Sequence, residues 1–319
     1  MQTNFKAYAE LTFAMIIAGS SVVASKLLVQ TLPVFLASEC SLIVALTILI
    51  PLTYITKKSI PKIDNKTRIV LFLQSITGIF LFRVFLFFGL KFTSAIESSL
   101  ITSTSPAMVG LLAFFLLKEK LSLNRIIGIV FVVVGLLIVN VYSPPAISSY
   151  TNSIKGNVLI LIAIVGEALF SILSKMTTTN IPPIYRTTII TAFAVVLFIP
   201  CSIYDILHFD FSQVNNTAFL SVLYYGTFVS VVSYILWFKG ISKVPASNAA
   251  VFTGIMSVSS IFLSSIILKE RILQSHIISL IFIVFGICFS CSSSKNYLIF
   301  NMSKNANKIE PPTLNNDVS

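Results

Sequence analysis

Glu167 stands ten residues into an apolar stretch at 157–174. A charged side chain at the centre of a membrane helix costs about 2.5–3.5 kcal/mol on insertion scales, and from that depth it does not reach water. Glu167 is therefore expected to face a cavity, where it is placed to bind an amine or to carry a proton. Arg83 poses the same problem about eight residues from one end of the stretch at 69–90, roughly 12 Å deep at 1.5 Å per residue. Glu39, in the stretch at 34–55, and Glu97, at the start of the stretch at 95–117, lie at comparable or shallower depth. A charge pair of Arg83 with one of them is expected, acting either as a fixed pin between helices or as a gate. Lys26 and Lys175 stand near the ends of their stretches and are expected to anchor at the interface by snorkelling, with a gate as the alternative role.

Small hydroxyl residues recur at helical spacing: Ser98, Thr102 and Ser105 in one stretch, and Thr253, Ser257, Ser260 and Ser264 in another. Such stripes bring helices into close contact in lipid or line a wet path. Thr102 and Thr253 are the expected cavity-lining pair. Tyr234 and Trp237, one turn apart, offer an aromatic surface to a solute.

The elements that must position these residues are ten apolar runs, at 9–29, 34–55, 69–90, 95–117, 126–142, 157–174, 187–207, 218–238, 246–268 and 276–293. Each has the length that crosses a ~30 Å hydrocarbon layer as a helix; barrel strands need only ~10 alternating residues. With 56% hydrophobic and 10% charged residues, the chain falls far from the ~25% charge of a soluble domain. The class is an all-α membrane protein. The first run has only Lys6 before it, contains Glu10, and is too long for a signal peptide, so it is a retained span.

The net charge of +11 is scattered in short groups between runs rather than gathered on one segment, which argues against nucleic acid. With both ends in the cytoplasm, sixteen of the 22 basic residues fall on the inner side, five fall outside, and Arg83 lies within a span. The positive-inside rule favours that orientation. Cys40, Cys201, Cys288 and Cys291 all lie in or beside apolar runs, so a disulfide framework is excluded; the Cys288/Cys291 C-x-x-C has His208 and His276 far away and reads as helix packing. No P-loop, H-E-x-x-H, G-x-S-x-G or metal-spaced cluster is present, so neither cofactor nor nucleotide engine is expected.

Shifted by 149 residues, the sequence aligns Lys26 with Lys175, Pro33 with Pro182 and Pro51 with Pro200. A shift of 151 aligns Gly89 with Gly240, Ala95 with Ala246, Thr102 with Thr253, Glu119 with Glu270 and Gly135 with Gly286. Each half holds five spans, an odd number, so the second enters the membrane from the opposite side. Inverted repeats of this kind are a recurring plan of secondary transporters, with substrate near the midplane between the halves.

Gly226-Thr227, Trp237-Phe238-Lys239-Gly240, Pro245-Ala246-Ser247 and Leu268-Lys269-Glu270-Arg271 carry a family resemblance, as do Ser94-Ala95, Ser105-Pro106 and Lys118-Glu119-Lys120-Leu121 in the first half. The chain resembles the EamA family of the drug/metabolite transporter superfamily over everything except its tail. The resemblance implies ten transmembrane helices in two inverted five-helix EamA repeats at 9–142 and 157–293. Residues 1–8 would be a cytoplasmic N-terminus, 143–156 an extracytoplasmic linker and 294–319 a disordered cytoplasmic tail. It further implies a bacterial inner-membrane carrier of a small organic metabolite, an amino acid or relative, with efflux favoured. An uptake carrier or exchanger of a nucleoside-like or adenosyl metabolite is the alternative; a non-transporting sensor or scaffold is the rival of another class. The expected partners are a small-molecule substrate and the lipid bilayer, with monomer and homodimer both open. One departure is Ser38-Glu39-Cys40, where relatives often carry an arginine in the second span.

Overall fold

The computed structural model describes residues 2–56, 63–117, 123–142, 153–176, 181–241, 243 and 246–286. Apart from loops and turns, the described residues are helical, with no strand among them. In chain order the helices are α1 (Gln2–Thr31), α2 (Val34–Ile55), α3 (Asn65–Phe92), α4 (Ala95–Thr102), α5 (Ser105–Leu117), α6 (Leu123–Tyr142), α7 (Ser153–Met176), α8 (Pro183–His208), α9 (Asn216–Ile241), α10 (Ala246–Ile267) and α11 (Gln274–Gly286). Six of them, α1, α2, α3, α7, α8 and α9, are long and apolar enough to cross a membrane, and α6, α10 and α11 contain shorter apolar segments. The expected tail at 294–319, the linker at 143–152 and Cys288 and Cys291 lie outside the described residues.

The run at 95–117 is not one continuous helix. It breaks at Ser103–Thr104, whose hydroxyls donate back to the carbonyls of Leu100 and Ile101. Pro106 supplies the cause: it has no N–H to give the preceding turn, so a new helix, α5, starts around it. Two other spans keep their direction but loosen their winding. α3 is π-helical over Ile76–Leu81 and α9 over Tyr225–Ser233. The 151-residue shift carries 76–81 onto 227–232, so the two π segments are repeat mates. Wide turns of this kind are frequent at functional sites.

Packing follows the repeat. α2 lies against α8, its own repeat mate. α1 packs on α9 and α10, and its mate α7 packs in the same way on α3, α4 and α5. Such exchange of partners is what a pseudo-two-fold axis between the halves produces. The closest approaches use glycine: a Cβ on Gly156 of α7 would come within 2.8 Å of the Gly89 carbonyl of α3, and one on Gly166 within 2.7 Å of the Thr77 carbonyl. In lipid, where apolar surface alone does not drive helices together, small residues that allow backbones to touch supply the contact.

The apolar residues face outward. Ile43, Val196, Phe219 and Phe262 are among many large aliphatic and aromatic side chains left exposed, whereas Arg83, Glu39, Glu97, Lys26 and Arg186 are buried. Water would drive the opposite arrangement; a hydrocarbon solvent permits this one.

Candidate functional site

Arg83 projects from α3, just beyond its π segment, into the space between α2 and α9. Its Nη1 donates to the Ser38 carbonyl at 3.3 Å and to Ser41 Oγ at 2.8 Å, and its Nη2 donates to Ser230 Oγ at 2.7 Å. Ser41 and Ser230 are free to accept because each gives its own proton to a backbone carbonyl, of Ser38 and Tyr225 respectively. The Tyr225 ring completes the cage, its centroid 4.7 Å from the guanidinium carbon, a cation–π distance. Gly226 makes the cage possible, since a Cβ there would meet the Ser41 carbonyl at 2.6 Å.

The expected charge pair is therefore corrected. Arg83 is held by hydroxyls, a carbonyl and a ring, with no carboxylate at ion-pair distance among the described residues. Glu39 is close enough to feel the arginine electrostatically, yet its Oε2 is buried with no hydrogen-bond partner. The reason is local: Ser38 and Ser41 occupy the side of α2 that turns toward Arg83, and they take its N–H groups first.

Glu167, itself partly exposed, lies on the face of α7 that also carries the buried Ala163, Phe170 and Ser174, and its Oε2 is buried and unpartnered. Tyr234 of α9 is within electrostatic reach of both Arg83 and Glu167. Its ring meets Phe170 edge-on, centroids 6.1 Å apart. Tyr234 is also the repeat mate of Arg83 under the 151-residue shift. The interior thus brings together one cation, two carboxylates with an orphan oxygen each, and a tyrosine, all beside π segments. An unpaired charge in such a medium is expensive, so this arrangement favours a solute that carries complementary charge.

Glu97 sits elsewhere, at the junction where α3 ends and α4 begins. Its Oε2 accepts from Thr93 Oγ1 at 2.6 Å and from Asn157 Nδ2 of α7 at 3.4 Å. Lys26 belongs to this junction too. It does not snorkel: its ammonium is buried and donates to the carbonyls of Leu90, in the last turn of α3, and of Thr93, at its C-terminal cap. Terminal carbonyls carry the negative end of the helix dipole, which explains the attraction of a cation. Glu270, after α10, does the converse for α4, accepting from the amides of Ala95 at 2.9 Å and Ile96 at 2.8 Å. Lys269, with φ 55°, turns the chain so that Glu270 can reach. The sequence had marked Glu270 by its repeat match with Glu119, though not as a helix cap.

The remaining expected residues divide. Thr102 is buried and donates to the Ser99 carbonyl of its own helix, while the neighbouring Ser99 hydroxyl meets Ser260 of α10 at 2.6 Å. Trp237 packs both toward α1, near Ala7, Leu11, Ala14 and Met15, and against the cluster of Phe170 and Phe238 that Tyr234 also joins. The side chains of Lys175 and Thr253 lie outside the described residues. Arg186, at the start of α8, was not foreseen as a site residue: it donates to Gln74 Oε1 at 2.8 Å and to the Ser174 carbonyl, over the Phe238 ring.

The EamA-like transporter family profile matches residues 7–141 and 154–292, one repeat in each half. The chain belongs to the EamA-like transporter family. Among relatives, the uncharacterized transporter YetK of Bacillus subtilis (strain 168) is 37% identical over 281 residues, covering 88% of this chain and 85% of its own. An uncharacterized transporter of Archaeoglobus fulgidus is 27% identical over 216 residues, covering 67% and 71%. A protein known from a crystal structure shares the fold with a TM-score of 0.66 at 16% identity, over 93% of this chain and 98% of its own. The EamA match and these relatives make the chain a multi-pass membrane transporter with a two-repeat fold.

Proposed function

We propose that this transporter is a secondary carrier that moves a small organic solute by alternating access between two inverted five-helix halves, ten spans in all. The observation that carries the reading is the central set of Arg83, Glu39, Glu167 and Tyr234. A fixed cation and carboxylates with unpartnered oxygens stand in one low-dielectric interior without pairing. A dipolar solute, with an anionic end for Arg83 and an ammonium for Glu167, relieves both charges at once. An amino acid or close relative has that form. The partner exchange between α1 and α7 supports rocking of one half against the other, the motion by which inverted repeats alternate access. With no nucleotide-binding motif in the sequence, the driving force is a gradient. Efflux across the bacterial inner membrane, with both termini in the cytoplasm, agrees with the basic loops and with the family.

Untargeted metabolite profiling of cells and medium, with and without the expressed protein, followed by flux of the leading solute in proteoliposomes, tests this reading. An amine-bearing solute should leave loaded vesicles faster with the carrier than without. Identical profiles and no flux would move the protein to the sensor or scaffold class.

A further inference from the structure

A cavity of about 300 Å³ opens between the N-terminal ends of α3 and α8, lined by Ile63, Arg68, Leu71, Tyr185, Ile189 and Phe193. It is distinct from the central charged cluster. Its lining is divided by chemistry: Arg68 and Tyr185 supply polar groups, and the other four residues form an apolar wall. Phe72 closes the wall against Phe193, rings edge-on with centroids 5.4 Å apart. On the same stretch of α3, Ile69, Phe72 and Leu73 are exposed apolar residues, which places the cavity beside the lipid-facing surface.

Charge in the sequence beside this cavity is strongly one-sided: residues 57–68 include five basic residues, of which Lys66 and Arg68 are described, against Asp64 as the one acid. Asp64 is engaged as the cap of α3, accepting from the Thr67 amide at 3.3 Å. The α8 N-terminus adds to the positive potential: Pro182 caps it without a side-chain hydrogen bond, and Tyr185 lies in its first turn.

We propose that this cavity holds the headgroup end of an anionic phospholipid from the leaflet on the basic side. Arg68 takes the phosphate, and the first carbons of an acyl chain run along Leu71, Ile189 and Phe193. Basic pockets between transmembrane helices are suited to such headgroups. A soluble anion would leave four apolar walls without a contact; a zwitterionic lipid such as phosphatidylcholine would bring a choline ammonium beside its phosphate, against the basic residues here.

Native mass spectrometry of the full-length protein, titrated with phosphatidylglycerol or phosphatidylcholine of matched acyl chains, tests the proposal, with glycerol 3-phosphate as the headgroup-only probe. Wild type should retain phosphatidylglycerol over phosphatidylcholine by about fivefold or more, the effect of one basic contact near a lipid surface. Arg68→Gln should abolish that preference with its unfolding temperature unchanged, because Arg68 is exposed; Lys66→Gln should keep it. Equal retention of both lipids by wild type overturns the proposal, and so does a preference that survives Arg68→Gln. Glycerol 3-phosphate binding as tightly as the lipid also overturns it, in favour of a soluble anion site.

Discussion

The junction between α3 and α4 and the cluster around Arg83 are both buried and both charged, yet they are built on opposite principles. At the junction, Lys26 is spent on the terminal carbonyls of α3 and Glu270 on the first amides of α4, while Glu97 is bonded to Thr93 and Asn157. In the cluster, Arg83 is bonded to neutral groups and the carboxylates of Glu39 and Glu167 each keep one oxygen with no partner. Charges used up on helix ends hold a structure together. Charges left unpaired in a low-dielectric interior raise its energy until something arrives to answer them. The first region thus reads as construction and the second, under the proposed function, as recognition, although a tally of buried ionisable residues makes them look alike.

The contrast breaks most readily at Glu270. Glu270→Ala removes two charge-assisted bonds to backbone amides, each worth about 1.5–3 kcal/mol, and leaves Ser94 as the side-chain cap of α4. A loss of about 3–5 kcal/mol in unfolding free energy in detergent is expected. A variant as stable as wild type would mean that the junction does not hold α4. Glu167→Gln should behave the other way: transport falls at least tenfold, about 1.4 kcal/mol in the barrier, while stability stays within about 0.5 kcal/mol of wild type. Destabilisation of the size seen with Glu270→Ala would instead make Glu167 a structural residue.

Much of this was legible in the sequence, and the limits have physical causes. Six long apolar spans followed from apolar runs, because a bilayer imposes a length that no soluble fold shares. The inward placement of Arg83 and of Glu167 Oε2 followed from the cost of exposing charge to lipid, which needs no knowledge of neighbours. Their partners did not follow. Arg83 was expected to seek a carboxylate by depth alone, but depth says nothing about azimuth, and Ser38, Ser41 and Ser230 hold the facing positions. Lys26 was assigned to the interface because it lies near a helix end; the end that mattered was that of α3, which only tertiary packing brings beside it. The π segments carry no pattern that distinguishes them from ordinary apolar helix. The break at Ser103–Thr104 was written in Ser105-Pro106, which had served as a family marker while its effect on the helix went unused.

Within the junction, a smaller lesion sharpens the comparison. Thr93 Oγ1 lies 2.6 Å from Glu97 Oε2 and 2.7 Å from Asn157 Oδ1, linking α3 to α7. Thr93→Val keeps the shape and removes the hydroxyl. It should cost about 1–2 kcal/mol in unfolding free energy, with the rate of transport unchanged at temperatures where the protein is folded. An equal loss of transport without loss of stability would assign the junction a moving part.

The smallest effect is expected at an ion pair open to water, Lys243 with Glu10, 2.7 Å apart. Its distance is close to those in the junction, but the lysine side chain is 40% exposed, so water and salt already screen the charge. Lys243→Ala should change stability by about 0–1 kcal/mol, and less at high salt. If thermal unfolding in detergent gave it the same cost as Glu270→Ala, proximity alone would set the energy and the distinction between buried and exposed charge would fail. A near-zero value beside a large one at Glu270 locates the difference in the dielectric around the pair, which is also what makes the orphan oxygens of Glu39 and Glu167 costly.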